Sequence, residues 1–164
     1  MIYITLPILP NRPNFKGEDT EEGSFQLKKF GSFDFVQNVL FEESFIKYDK
    51  SYQNDQGSSS VFYDHMLEVY SILKSYFKSR SKLVEIGCGK GTFLNIVRDD
   101  TYFNYEGYDT AYDGNDPNIH CRYLNENEKV FADLVVLRHT LEHIQSPHKF
   151  LSLLQGVFNE DATI

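Results

Sequence analysis

Apolar residues recur with two different periods along the later part of this chain, and the two alternate. From Ser60 onward, Phe62, Met66, Val69, Tyr70, Leu73 and Phe77 fall on one face of a helix that Ser60 would cap, and that face is expected to be core. A short apolar strand, Lys82 to Ile86, follows and breaks at Gly87 into alternating glycines that lead straight into a second helix. Tyr105 to Asp109 reads as a second strand, Ile119 to Tyr123 as a weak third, and Ala132 to Arg138 as a fourth. Within the fourth, Leu134 to Leu137 is an unbroken apolar run, the pattern of a parallel strand covered on both faces. Ser146 and Pro147 then open a helix whose Phe150, Leu151, Leu154, Val157 and Phe158 recur at helical spacing. Asp161 to Ile164 reads as the first residues of a fifth strand. Strands alternating with helices predict an α/β fold with a parallel sheet and helices on both faces.

Composition fits this picture. A chain of 164 residues, 41% hydrophobic and 15% aromatic, can bury one core. No stretch reaches the roughly 20 apolar residues of a membrane span. Met1 to Pro10 is apolar but short, interrupted by Pro7 and Pro10, and lacks the basic start of a signal peptide. Two cysteines make no disulfide framework, so a cytoplasmic setting is expected. The net charge of −8 argues against nucleic acid as a partner, because phosphates call for a basic face. Neither a nucleic acid nor a membrane is therefore expected as a partner.

The glycine spacing narrows the ligand. Glycines at a strand-to-helix junction let the backbone turn sharply and approach a bound group. A dinucleotide fingerprint would need glycine where Thr92 stands, and a phosphate-cradling loop would need Ser or Thr where Gly91 stands. The run that is present, Glu85-x-Gly87-x-Gly89-x-Gly91 with Asp109 closing the second strand, resembles the first two motifs of the class I S-adenosylmethionine (SAM) dependent methyltransferases. The resemblance implies a Rossmann-like sheet, SAM as cofactor, and a small-molecule methyl acceptor. In the family the glycine loop passes under the methionine and ribose, and the acid accepts bonds from both ribose hydroxyls. Carried over, Glu85 would orient the methionine ammonium, Gly87, Cys88 and Gly89 would line the loop, and Asp109 with neighbouring Thr110 would hold the ribose.

The fourth strand, the corner Arg138-His139-Thr140-Leu141-Glu142-His143-Ile144 and the Pro147 helix are similar to the fourth motif of a subgroup that includes sugar C-methyltransferases. This similarity implies Arg138 as a cofactor contact, His139 and His143 as candidate bases, and the carbon of a nucleotide-linked sugar as one acceptor. His139-x-x-Glu142-His143 also spells the inverted zinc-protease motif, which needs both histidines on one helix face and a third ligand. Here His139 directly follows a strand and no third ligand is evident, so no metal site is expected.

Residues 1–59 are read as an aromatic-rich extension and 60–164 as the cofactor-binding core. Asp34 to Phe41, Tyr48, Tyr52 and Gln56 to Ser60 are similar to the stretch that folds over the cofactor as a lid in the sugar enzymes, which makes Tyr48, Tyr52, Ser59 and Ser60 candidate contacts. The zinc module of those enzymes has no counterpart, since no cysteine precedes Cys88. The family sheet has seven strands, so the fold is expected to be cut short near its fifth. An open strand edge would then favour a homo-oligomer or a partner that supplies the missing strands. Two readings of function remain: a methyltransferase, or a non-catalytic module that keeps the fold for SAM binding or assembly.

Overall fold

The computed structural model describes residues 3–7, 22–30, 35–42, 44, 48–52 and 56–164. The chain divides into two compact units, Met1–Gln53 and Asn54–Ile164. In the first, β1 (Tyr3–Pro7), β2 (Glu22–Phe30) and β3 (Phe35–Asn38) form an antiparallel sheet in that order. Its register pairs Tyr3 with Gln26 and Leu27 with Asn38. The Asn38 side chain closes the end of the ladder, because Oδ1 accepts the Gln26 N–H at 2.9 Å and the Leu40 N–H at 3.2 Å.

The second unit contains α1 (Ser60–Tyr76), β4 (Lys82–Ile86), α2 (Thr92–Asp100), β5 (Asn104–Tyr108), β6 (Ile119–His120), β7 (Leu134–Val136) and α3 (Pro147–Val157). The strands form a parallel sheet in the order β6-β5-β4-β7. Thr163 continues it beyond β7 through a parallel bridge to Leu134. The chain lays β5 and β6 to one side of β4, then returns to place β7 on the other. Where strand order reverses in this way, α/β sheets generally bind ligands outside the carboxyl ends of the two strands, here β4 and β7.

Alternation along the strands sends side chains to two cores. Leu83, Leu134 and Val136 meet α1 and α2 through Met66, Tyr70, Phe93, Leu94 and Val97. Val84, Ile86, Tyr108 and Val135 meet α3 through Leu154 and Phe158 on the other face. Each such fully buried side chain contributes roughly 1.5–3 kcal/mol. Tyr70 packs edge-on against Phe93 and Phe103 and sends its hydroxyl to Asp100 at 2.8 Å, so the ring stays in the core while its polar end reaches a partner.

The expected strand Lys82 to Ile86 is present with those bounds. Four boundaries differ from expectation. The second strand runs Asn104–Tyr108 in place of Tyr105 to Asp109, with Asp109 just past its end. Ser59, not Ser60, occupies the N-cap of α1, and it makes no side-chain capping bond. The third strand keeps only Ile119–His120 of the expected Ile119 to Tyr123. The fourth keeps Leu134–Val136 of Ala132 to Arg138, because Ala132 spends its N–H on the Asn159 side chain at 2.9 Å and His139 turns the chain out of the sheet with φ 50°.

Candidate functional site

At the end of β4 the backbone needs three left-handed residues in quick succession, Gly87, Gly89 and Gly91, with φ of 76°, 57° and 79°. The resulting loop is pinned to the neighbouring strand, since the Gly87 N–H donates to the Tyr108 carbonyl at 2.9 Å and the Cys88 N–H to the same oxygen at 3.4 Å. A Cβ on Gly87 would overlap the Thr140 hydroxyl. A Cβ on Gly89 would meet nothing within 4 Å. Gly89 thus borders open space beside the loop, where a ligand can approach the backbone.

Asp109, the first residue past β5, is held by two backbone donors. Oδ2 accepts the Gly89 N–H at 2.7 Å and Oδ1 the Ala111 N–H at 2.7 Å. A carboxylate has about four lone-pair positions, so these bonds fix its orientation and leave acceptor capacity. Lys90 ties the same two loops together through the Ala111 carbonyl and Asp113, each at 2.9 Å.

Glu85 lies on the α1/α2 side of β4 and is 2% exposed. Its Oε2 is buried without a hydrogen-bond partner. Burial lifts its carboxyl to about 8, against the pull of the Arg138 charge and with a further push from Asp109. Arg138 Nη1 stands 3.7 Å from Glu85 Oε1, while its guanidinium lies 4.6 Å from the Phe93 ring centre and 5.8 Å from that of Phe62. Burial draws Arg138 below its ordinary value, and the Glu85 charge resists.

Past β7 the chain turns through His139 into a single 3₁₀ turn, Leu141–His143. This is too short to be the helix that a zinc-protease motif requires. Among the described residues, no three His, Cys, Asp or Glu side chains converge as a metal site. The His139 ring lies 5.2 Å from that of Phe62, with Nδ1 3.4 Å from Glu142 Oε1. His143 is half-buried within the turn, its N–H bonded to the Thr140 carbonyl at 3.0 Å. The Thr140 hydroxyl donates to the Ile86 carbonyl, at 3.1 Å, and packs onto Gly87.

Glu85, the glycine loop, Asp109 and Arg138 therefore gather at one end of the sheet, with His139 at the start of the same corner. Thr110 directly follows Asp109, and its carbonyl lies 3.5 Å from Cys121 Sγ. The Cys88 thiol is buried with the core cluster on the α1/α2 side and not presented to the crevice, so only its backbone can serve the loop. Ser60 is exposed in the first turn of α1 and Ser59 at its N-cap. Tyr48 and Tyr52 belong to the first unit, where their rings lie 5.0 Å apart. Of the expected lid stretch, Asp34 lies outside the described residues.

Sequence reasoning missed Thr140, whose packing on Gly87 has no local signature. Phe62, expected as core, does pack against the core cluster. Its helical spacing is correct, but its position in the first turn of α1 brings the ring to Arg138 and His139. A second charged cluster occupies the other face of the sheet, where Glu106 takes Lys82 at 2.7 Å, the Tyr108 hydroxyl at 2.6 Å and His120 at 2.8 Å. Burial works to raise the Glu106 carboxyl, but these donors outweigh it and bring the group down to about 2.

A family model described as "Methyltransferase domain" matches residues 62–164, more than half of the chain. A search of curated proteins finds no match. Among solved structures, the chain is similar to the plantazolicin methyltransferase BpumL in complex with SAH, at 19% identity and a TM-score of 0.43 over 57% of this chain and 40% of that one. It is also similar to BpumL bound to SAH and a monoazolic desmethylPZN analog, at 17% identity and a TM-score of 0.47 over 63% and 45% of the two chains. The chain thus spans less than half the length of these structures.

Proposed function

This chain belongs to the methyltransferase-domain family, and we propose that its crevice binds SAM and directs methyl transfer to a small-molecule acceptor. The observation that carries the reading is the bare Oε2 of Glu85, a buried carboxyl oxygen with no partner at the end of the central strand. A buried oxygen in this state costs about 1–3 kcal/mol until a donor reaches it, and an ammonium group on a ligand is such a donor. The open space beside Gly89 and the fixed carboxylate of Asp109 fit the same ligand, at its backbone approach and at its ribose.

When bound, SAM supplies a methyl group already activated as a sulfonium, so the protein's work is alignment and exclusion of water. Glu85 orients the amino-acid end. Gly87 and Gly89 admit the ligand to the backbone, and Asp109 accepts from the ribose hydroxyls. Thr110 and Ser60 are further proposed contacts. Where the acceptor is a carbon that must lose a proton, His139, with Glu142 Oε1 3.4 Å from its Nδ1, is the first proposed base and His143 the second. The likeness of the Arg138 to Ile144 corner to that of sugar C-methyltransferases supports a nucleotide-linked sugar as acceptor.

Calorimetric titration of the chain with SAM and with its demethylated product tests the reading. Micromolar binding of both is expected. Absence of heat with either at 100-fold that concentration would overturn it, and binding without transfer to any offered acceptor would favour a non-catalytic module.

A further inference from the structure

The two halves of the candidate site hang from two backbone carbonyls, those of the last residues of β5 and β6. The Tyr108 carbonyl accepts the Gly87 N–H at 2.9 Å and the Cys88 N–H at 3.4 Å, which ties down the glycine loop. The His120 carbonyl accepts the Asp109 N–H at 3.1 Å, which ties down the carboxylate residue. On the α3 face of the sheet, the side chains of the same two residues meet at one oxygen. Glu106 Oε1 accepts the Tyr108 hydroxyl at 2.6 Å and His120 Nε2 at 2.8 Å, while Oε2 takes Lys82 Nζ from β4 at 2.7 Å. A carboxylate only accepts, so Nε2 carries the proton in this bond. The His120 ring also lies on that of Tyr108, with 4.7 Å between centres.

β6 has little else to fix it. It lies at the sheet edge, and its register with β5 covers two pairs, Gly107 with Ile119 and Tyr108 with His120. Strands are usually three residues or longer, so a ladder this short holds its edge weakly. On the reading that Asp109 grips the ribose of SAM, we infer that His120, clamped by Glu106, is a positioning residue for that carboxylate. His120 acts through Asp109 and not on the ligand. Because Tyr108 shares the same Glu106 oxygen, the clamp also sets the spacing between the two carbonyls, and so between the glycine loop and the ribose acid. Asp109 then closes that gap through the Gly89 N–H at 2.7 Å. Charge-assisted bonds of this length are short and directional, which suits them to holding a binding group in place from the far side of the sheet.

Calorimetric titration of the 164-residue chain with SAH, the demethylated product of SAM, and with the 2′,3′-dideoxy analogue of SAH reads the ribose contact alone. The unmodified chain should prefer SAH by at least about tenfold. His120→Leu should cut that preference to within about threefold, chiefly by weakening SAH. His120→Gln sets an amide N–H where Nε2 stands and should restore most of it. Glu106→Leu should act as His120→Leu does, and it carries the test if His120→Leu does not fold. Met66→Ala, a core cavity in α1 that leaves the clamp intact, should lose stability and keep the full preference. A full preference in the folded leucine variants would overturn the inference. So would a glutamine variant no better than leucine, or a preference lost in Met66→Ala, which would reduce the effect to stability. Equal binding of the two ligands by the unmodified chain would remove the ribose assignment of Asp109, and the inference with it, while the SAM site stands. Binding of neither would remove the SAM reading as well.

Discussion

Asp109 holds Gly89: its Oδ2 accepts the glycine N–H at 2.7 Å, across the gap between the loops that follow β4 and β5. The residue proposed to grip the ribose is thus also the clasp that shapes the glycine loop.

Asp109→Ala removes both the loop bonds and the ribose acceptors, so SAM affinity should fall at least tenfold, since charge-assisted bonds are worth roughly 1.5–3 kcal/mol each. Asp109→Asn keeps one acceptor oxygen and should fall between the two. Calorimetry beside a thermal melt separates the losses. An unchanged dissociation constant for Asp109→Ala would sink the ribose assignment.

Glu85 makes stability fall as pH rises. Its carboxyl titrates near 8 in the folded chain against an ordinary value of 4.5, so its contribution is complete below 4.5 and is lost as pH climbs through 8. Glu85→Gln should flatten the decline between pH 5 and 9 and melt several degrees above the unmodified chain at pH 9. Parallel pH profiles for the two chains would contradict this.

Gly87 and Gly89 should respond differently to alanine. At Gly87 the added Cβ meets both the left-handed φ penalty and Thr140, for a loss of about 2–4 kcal/mol. Thr140→Ala should recover part of that loss, a coupling that a double-mutant cycle measures. Gly89→Ala meets only the φ penalty, about 1 kcal/mol, yet its Cβ enters the open space proposed to take the ligand. It should weaken SAM binding by more than it lowers stability, and the reverse ranking would place the ligand elsewhere.

Glu106 acts in the opposite pH window from Glu85. Its carboxyl is held down at about 2, so its stabilisation is present above 4.5 and is lost as pH falls from there toward 2. With a partly solvated carboxylate, the net effect at pH 7 is on the order of 1 kcal/mol. Glu106→Gln should lower stability at pH 7 and make acid unfolding shallower. Denaturant melts at pH 3 and pH 7 check both.

The parallel sheet was legible because each strand carries its own signal. Lys82 to Ile86 ends in glycines that only a sharp turn explains, and Leu134 to Leu137 is apolar throughout because both faces are covered. The antiparallel sheet of β1 to β3 was not, since the nine residues of β2, Glu22–Phe30, mix two lysines and a glutamine with their apolar positions and lack a clean alternation. In the site, Glu85, Asp109 and the glycines are adjacent to strand ends and so could be read locally. The contacts of Thr140 with Gly87, 53 positions away, and of Phe62 with Arg138, 76 away, are long-range and leave no trace in either neighbourhood.

The strand order β6-β5-β4-β7 also has a temporal side. The first strand made in this sheet, β4, lies inside it, and every later strand finds its seat already built: β5 on β4, β6 on β5, β7 back on β4. A ribosome delivering the chain from its amino terminus therefore never leaves a parallel strand waiting for an inner partner not yet synthesised, and assembly can spread outward from Lys82 to Ile86 as residues emerge.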